Sequence, residues 1–299
     1  MAMQLQECAE TFLLYLQFEK RRSPHTIISY RTDISQFVFF VGNQSYPMSI
    51  EALSPIIIRG WIVDLINNHI TPRAVNRKIS TLNSWCKYLI KQGILDANPM
   101  LKVMAPKMGK KLTLFIEEKA MFNLLESPTH FPHDFEGKRN KLIIELFYAT
   151  GMRLAELINL RITDVDLYTL NLKVLGKRNK ERILPFTRKL KIEMETYLEH
   201  RKDLPSAHPW LFLTKKGEKM YAKAVYRIIN QYLSIVSTVE KRSPHVIRHS
   251  FATHMLNNGA DINAIKELLG HSSLSATQVY THNTVEKLKT IHKQAHPKG

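Results

Sequence analysis

Apolar residues over the first third of the chain recur at three and four, the spacing of a helix face. Residues 5–17 carry one such face. Ser23 and Pro24 supply an N-cap and a first helical residue, and Ile27, Tyr30, Ile34, Phe37 and Val38 follow at helical spacing. A third helix is predicted from about Pro55 to Asn67. Thr71 and Pro72 open a fourth, TPRAVNRKISTLNSWCKYLIKQG, which Gly93 ends as a C′ glycine. Residues 1–93 therefore read as a bundle of four or five helices.

The period then fades through DANPMLKVMAPKMGKKLTLF, which holds two prolines, a glycine and four lysines. Such a stretch is a linker, either a solvated hinge or a basic strap along a nucleic-acid backbone. It sets the expected boundaries: a helical domain over 1–96, a linker over 97–112, and a second domain over 113–299 with a tail at 284–299. In the second domain KLIIELFYATG reads as a buried helix stopped by Gly151, and RLAELINL starts another at once. Alternation at Leu170, Leu172 and Val174 gives a strand, GKRNK a turn, and ERILPF a short returning strand. Helices are predicted over 187–200, 221–236, 244–257, 261–269 and roughly 274–282. The expected fold is mainly α with a small β-hairpin or sheet.

Composition narrows the class. The 299 residues suit about two domains, and a hydrophobic content of 44% is that of an ordinary globular chain. Cys8 and Cys86 stand far apart with no CxxC spacing, which suggests two small buried residues in a reducing compartment. The start carries Glu7 and Glu10 where a secretory signal would be basic, and apolar runs such as FVFFV fall far short of the roughly 18 residues of a membrane span. A cytoplasmic protein with no membrane partner is expected. The net charge of +17 points to nucleic acid. A ribosome-associated or acidic-membrane protein would share that balance.

Four segments carry candidate chemistry. In SPHVIRHSFATH, His245 and Arg248 are three apart and share a face near a helix start, whose free N–H groups and dipole favour an anion. Ile247, Phe251 and Met255 lie opposite and suit the core. His245 and His249 have the spacing of a zinc pair, but Arg248 would repel a cation and no carboxylate or cysteine completes the set. A structural histidine pair stays open. In ATGMRLAEL, Arg153 and Glu156 form either an oriented anion site or a surface ion pair. In LGKRNKER, Lys177, Arg178, Lys180 and Arg182 decorate a hairpin, as a solvated turn or as a tip that reaches into DNA. In LLGHSSLSATQVYTH, His271 follows Gly270, and Tyr280 is either packed or, with its free pKa near 10 lowered by help, a nucleophile.

Together these segments hold the parts for metal-free attack on a phosphodiester. With ATGMRLAEL, LGKRNKERILPF, HVIRHSFATHML and LGHSSLSATQVYTH in order, the chain resembles the tyrosine recombinases (the phage-integrase family), above all the Xer-type members. SPHTIISYRTDISQFVFF and TPRAVNRKISTLNSWCKYL, followed by NP and a lysine-rich linker, resemble the family's core-binding domain. Met152 and Ile247 stand where leucine is commoner, and both conserve volume. The resemblance implies a SAM-like helical core-binding domain and an α+β catalytic domain, closing as a clamp on DNA.

It also implies roles. Tyr280 attacks the scissile phosphate and forms a 3′-phosphotyrosyl bond. Arg153 and Arg248 hold the non-bridging oxygens, each donor worth roughly 10²–10³ in rate. His271 adds a hydrogen bond, Lys177 protonates the leaving 5′-oxygen, His245 accepts the phenol proton, and Glu156 orients a neighbour. No cofactor, metal or ATP is implied. The implied partners are a double-stranded recombination site, further copies or a paralogous recombinase in a tetramer, and a translocase activator. The tail after Tyr280 is either a helix that docks on a neighbouring protomer or a frayed end. Weaker candidates for DNA contact are Arg73, Arg77 and Lys78 on the fourth helix, Lys110 and Lys111 in the linker, and Arg178 on the hairpin. Dimer resolution leads among the implied roles. A mobile-element integrase, a DNA invertase, a relaxing topoisomerase and an inactive DNA-binding protein are the alternatives.

Overall fold

In a computed structural model the described residues are 4–44, 46, 48–107, 109, 114–176, 181–205, 208–270, 292 and 294–297. They fall into two compact units, Met1–Lys111 and Leu112–Gly299.

In the first unit α1 spans Leu5–Leu14 and runs on as a π-helical turn over Tyr15–Glu19. Three helices follow: α2 (Pro24–Asn43), α3 (Pro55–Asn67) and α4 (Pro72–Lys91). All three start alike. Proline takes the first position, where its fixed φ suits the helix and its missing N–H loses nothing. The side chains of Ser23, Ser54 and Thr71 accept from the N–H groups of Thr26, Ile57 and Ala74. The apolar faces meet around Phe12, Phe37, Trp61, Leu82 and Trp85. Phe37 packs edge-on to Trp61, and the Trp85 indole donates to Cys8 O at 3.1 Å. Cys8 and Cys86 are both fully buried. A 3-10 turn over Pro99–Lys102 places Met100 in this core, so the expected linker begins as part of the bundle.

A charged network crosses the inner side of α4. Asp33 on α2 is fully buried and accepts from Lys78 at 3.0 Å, from Thr81 at 2.9 Å and from Arg77. Lys78 also donates to Gln36 and lies over the Trp61 ring. Its side chain thus serves the bundle interior. Of the three basic residues at this helix start, Arg73 and Arg77 are exposed and Lys78 is buried.

The second unit is built on α6 (Phe135–Thr150), buried along residues 142–150. Against it pack α8 (Arg188–Arg201), α9 (Ala222–Val236) and α10 (Pro244–Asn257), while α5 (Glu118–Glu126) packs on α9; all share one core with α11 (Ile262–Leu269). Between α6 and α8 come the short helix α7 (Leu154–Ile158) and an antiparallel sheet of β1 (Val165–Asp166), β2 (Asn171–Leu175) and β3 (Glu181–Pro185) in that order. The expected strand starts one residue late, because Leu170 adopts a φ of +58° and belongs to the preceding turn. In register, Leu172 faces Leu184 and Val174 faces Arg182. Strand β1 had no periodic signal, being two residues long. The helix expected over 274–282 lies outside the described residues.

The described end of the tail packs on its own unit. Ala295 joins the core, and the side-chain amide of Asn258 donates to its carbonyl at 2.9 Å. His292 and His296 stack with centroids 4.8 Å apart. Their Nε2–H groups donate to Ala149 O at 2.6 Å and Tyr148 O at 2.9 Å, carbonyls at the C-terminal end of α6. His292, Ala295 and His296 are buried. Among the described residues, no helix is long and apolar enough to cross a membrane.

Candidate active site

Helix α10 begins as its sequence suggests, with Ser243 before Pro244, although the Ser243 side chain makes no cap bond. Val246, Ile247, Phe251 and Met255 are buried, while His245 is exposed. Arg248 is only 8% exposed. Its guanidinium donates to Gly151 O at 2.6 Å and to Leu269 O at 2.7 Å. Burial pushes its pKa down to about 10, the charges of Arg153 and Arg182 push the same way, and Glu156 opposes them.

Gly151 makes that contact possible. It closes α6 at a φ of +59°, donates to Phe147 O at 2.9 Å, and turns the chain into α7. Arg153 is the N-cap of α7, and the carboxylate of Glu156 accepts from its backbone N–H at 2.7 Å. The Arg153 side chain donates to Glu156 Oε1 at 2.9 Å and to Gly270 O at 2.8 Å. Glu156 is 5% exposed, so this is no surface pair.

The fourth member is Arg182. Its place in the sequence suggested a basic hairpin tip. Instead it lies on β3, 4% exposed, and grips both oxygens of Glu156 at 2.5 and 2.8 Å. Its Nε–H donates to Leu268 O at 3.0 Å. One signal in the sequence could have found it: Arg182 and Leu184 share a strand face, and Leu184 belongs to the core. A buried arginine on that face calls for a carboxylate partner.

Leu268, Leu269 and Gly270 thus offer three successive carbonyls at the end of α11, and Arg182, Arg248 and Arg153 each take one. A helix C-terminus leaves its last carbonyls unpaired and carries the negative end of the dipole, so cations suit it. Burial pushes the Glu156 carboxyl up, but the hydrogen bonds and charge of Arg182, with the Arg153 amide and guanidinium, hold it below its ordinary value. Three guanidinium charges against one carboxylate leave a net positive, largely dry cluster. Arg153 is its open member, with 31% of its side chain exposed.

The structure therefore brings Arg153, Glu156 and Arg248 together and adds Arg182. His245 sits one turn before Arg248 on α10. Lys177, Arg178, His271, Tyr280, Lys110 and Lys111 lie outside the described residues. Burial lowers the pKa of His249, which is half-buried, while His245 is exposed. Among the described residues, no group of three His, Cys, Asp or Glu side chains is placed to hold a metal ion.

Comparison with known proteins places this cluster in a family. The Phage integrase family matches residues 115–287, and the phage integrase N-terminal SAM-like domain matches residues 9–93. Tyrosine recombinase XerC of Thermodesulfovibrio yellowstonii is 37% identical over 292 residues, covering 96% of this chain and 95% of its own. Tyrosine recombinase XerC of Halalkalibacterium halodurans is 36% identical over 314 residues and spans 100% of both chains. Among solved structures, a lambda integrase dimer bound to a COC′ core site matches with a TM-score of 0.68 at 16% identity, over 93% of this chain and 100% of that one. XerH site-specific recombinase bound to difH substrate matches with a TM-score of 0.67 at 23% identity, over 87% and 78%. Family matches on both units, and relatives of this identity over nearly the whole length, agree with the arginine cluster: the chain belongs to the phage integrase family.

Proposed function

We propose that this chain is a site-specific tyrosine recombinase of the Xer type, which cuts and rejoins DNA through a 3′-phosphotyrosyl intermediate. The observation that carries the reading is the cluster of Arg153, Arg182 and Arg248 around the single carboxylate of Glu156. Its surplus positive charge is preorganised and largely dry, and an incoming phosphodiester completes it. As phosphorus becomes five-coordinate the non-bridging oxygens gain charge, so fixed donors bind the transition state more strongly than the ground state.

The remaining roles follow from the chemistry. Tyr280 forms a bond to phosphorus while the bond to the 5′-bridging oxygen breaks. His245, exposed one turn before Arg248, takes the phenol proton. Lys177 gives a proton to the departing 5′-oxygen, and His271 adds a donor to the phosphoryl group. The covalent link keeps the energy of the cleaved bond, so a 5′-hydroxyl from another strand reverses the attack. The cycle then needs neither metal nor ATP. Strand exchange between two duplexes calls for four such sites, supplied by copies of this chain or with a paralogous partner, and a translocase is a fitting activator. The working place is the cytoplasm, on the nucleoid.

Covalency supplies the test. Wild type and Tyr280→Phe are expressed in bacteria, lysed in strong detergent, and DNA bound to the protein is recovered and sequenced. A few sharp peaks with wild type alone are expected. A peak near the replication terminus fits dimer resolution, whereas peaks at inverted repeats or element ends move the role to inversion or transposition. Equal recovery from both proteins removes Tyr280 as nucleophile, and no recovery from either leaves an inactive DNA-binding protein or an enzyme that awaits its partner.

A further inference from the structure

Arg182 does work that its place in the sequence hides. It makes three hydrogen bonds to two elements: two to Glu156 on α7 and one to Leu268 O at the end of α11. Its own strand, β3, begins four residues after Lys177 in the sequence. Gly270 rests on its guanidinium, since a methyl group on Gly270 would stand 3.2 Å from Arg182 Nη1 and 3.3 Å from Cζ. Arg182 therefore ties β3 to α7, where Arg153 is the N-cap, and to the end of α11.

Its donors also fix how Arg153 is used. Glu156 has two oxygens and four contacts: two from Arg182, one from the Arg153 amide and one from the Arg153 guanidinium. Without Arg182, the carboxylate would swing to Arg153, the only other guanidinium bonded to it among the described residues, and take more of its N–H groups. With Arg182 in place, Arg153 spends one nitrogen on Glu156 and one on Gly270 O, and its remaining N–H groups, without a partner among the described residues, are left for a phosphate oxygen. Arg182 itself is 4% exposed and bonded through all three of its nitrogens, so it does not reach DNA.

We propose that Arg182 is a positioning residue for phosphoryl transfer: it holds the Glu156 carboxylate and the end of α11 so that Arg153 presents its free N–H groups to the scissile phosphate. This rests on the recombinase reading above. A lysine has the charge but not the fork, so it cannot take both oxygens and the Leu268 carbonyl together.

The test is single-turnover formation of the covalent complex on the site recovered by covalent capture, with wild type, Arg182→Lys, Glu156→Gln, and the charge-balanced Arg182→Met/Glu156→Gln. Melting curves report the folded fraction of each. Arg182→Lys is expected to react about 10²-fold more slowly per folded molecule, with unchanged affinity for DNA. A substrate whose scissile phosphate carries a methyl in place of one non-bridging oxygen is neutral and needs less from Arg153. On it the deficit of Arg182→Lys should shrink to a few-fold. The double variant should react no more slowly than Glu156→Gln alone, since both changes cut one path. A purely structural Arg182 would lower melting and leave the rate per folded molecule unchanged, or lower it equally on both substrates; either result overturns the proposal. If wild type forms no covalent complex, the recombinase reading itself falls and this proposal with it. If wild type reacts and Arg182→Lys matches it, only this proposal falls.

Discussion

A methyl group added to Gly151 would stand 2.6 Å from Phe251 Cδ1 and 2.8 Å from Leu269 Cδ2, at a φ of +59° that side chains other than glycine rarely adopt. Gly151→Ala is therefore expected to destabilise by about 1–3 kcal/mol from overpacking, with roughly 1 kcal/mol more from the left-handed backbone. Because Gly151 O accepts from Arg248, the shift should also slow covalent-complex formation. Urea unfolding and the single-turnover rate check the two effects separately. At this scale Arg248 was legible as an anion candidate beside a helix start and a histidine, whereas Arg153 stayed open between an anion site and a surface pair until the resemblance was drawn. Arg182 was not legible. A run of basic residues at a turn looks solvated by default, and the partner that draws it inside, Glu156, lies 26 positions away. The alternation with Leu184 puts Arg182 on the core face of its strand, but nothing local names Glu156 as its partner.

The helices show the same split between local and distant causes. The starts of α2, α3 and α4 were readable from Ser-Pro, Ser-Pro and Thr-Pro, because a cap and a proline act within one turn. The face α4 turns inward was less so. Its first turns read as one basic surface, yet Lys78 is folded against Asp33, Gln36 and Trp61 while Arg73 stays exposed. The two residues should behave differently. Removing Lys78 (Lys78→Met) leaves the buried Asp33 with Arg77 and Thr81 alone, and is expected to cost about 3 kcal/mol, at the low end for a broken buried pair. Tryptophan fluorescence in urea reads this out, since Trp61 and Trp85 both sit in the first unit's core. Arg73→Ala should leave that transition in place. If Arg73 meets a DNA phosphate, the substitution should reduce the slope of log affinity against log salt by about 1. An unchanged slope for Arg73→Ala, or an unchanged urea midpoint for Lys78→Met, would reverse the assignment.

Across the second unit, three partly or fully buried histidines share one direction of shift. Burial lowers the pKa of His249, His254 and His292. For His254 the charge of Glu118 and the carbonyl of Ile116 oppose it, and for His292 the carbonyl of Ala149 does. His254 shares a hydrogen bond with the Tyr148 hydroxyl at 2.9 Å, and His296 stacks on His292, so the groups facing this region are Glu118, Tyr148 and the histidines themselves. Each folded-state pKa lies below the unfolded value of about 6.5. The unfolded chain therefore binds more protons, and stability must fall as pH falls. The contribution is complete above about pH 6.5 and is lost as pH drops from there through the folded values. Two of these residues, His254 and His292, line the ground where the tail meets α6, so acid should loosen that packing first. The melting temperature is expected to be lower at pH 5.5 than at pH 7.5. His292→Gln keeps a donor for Ala149 O but does not titrate, so it should flatten the dependence. Hydrogen exchange at residue 292 and residues 294–296 should rise in acid for wild type and change less for His292→Gln. A melting temperature independent of pH over this window would mean that these histidines are no harder to protonate in the folded chain than in the unfolded one.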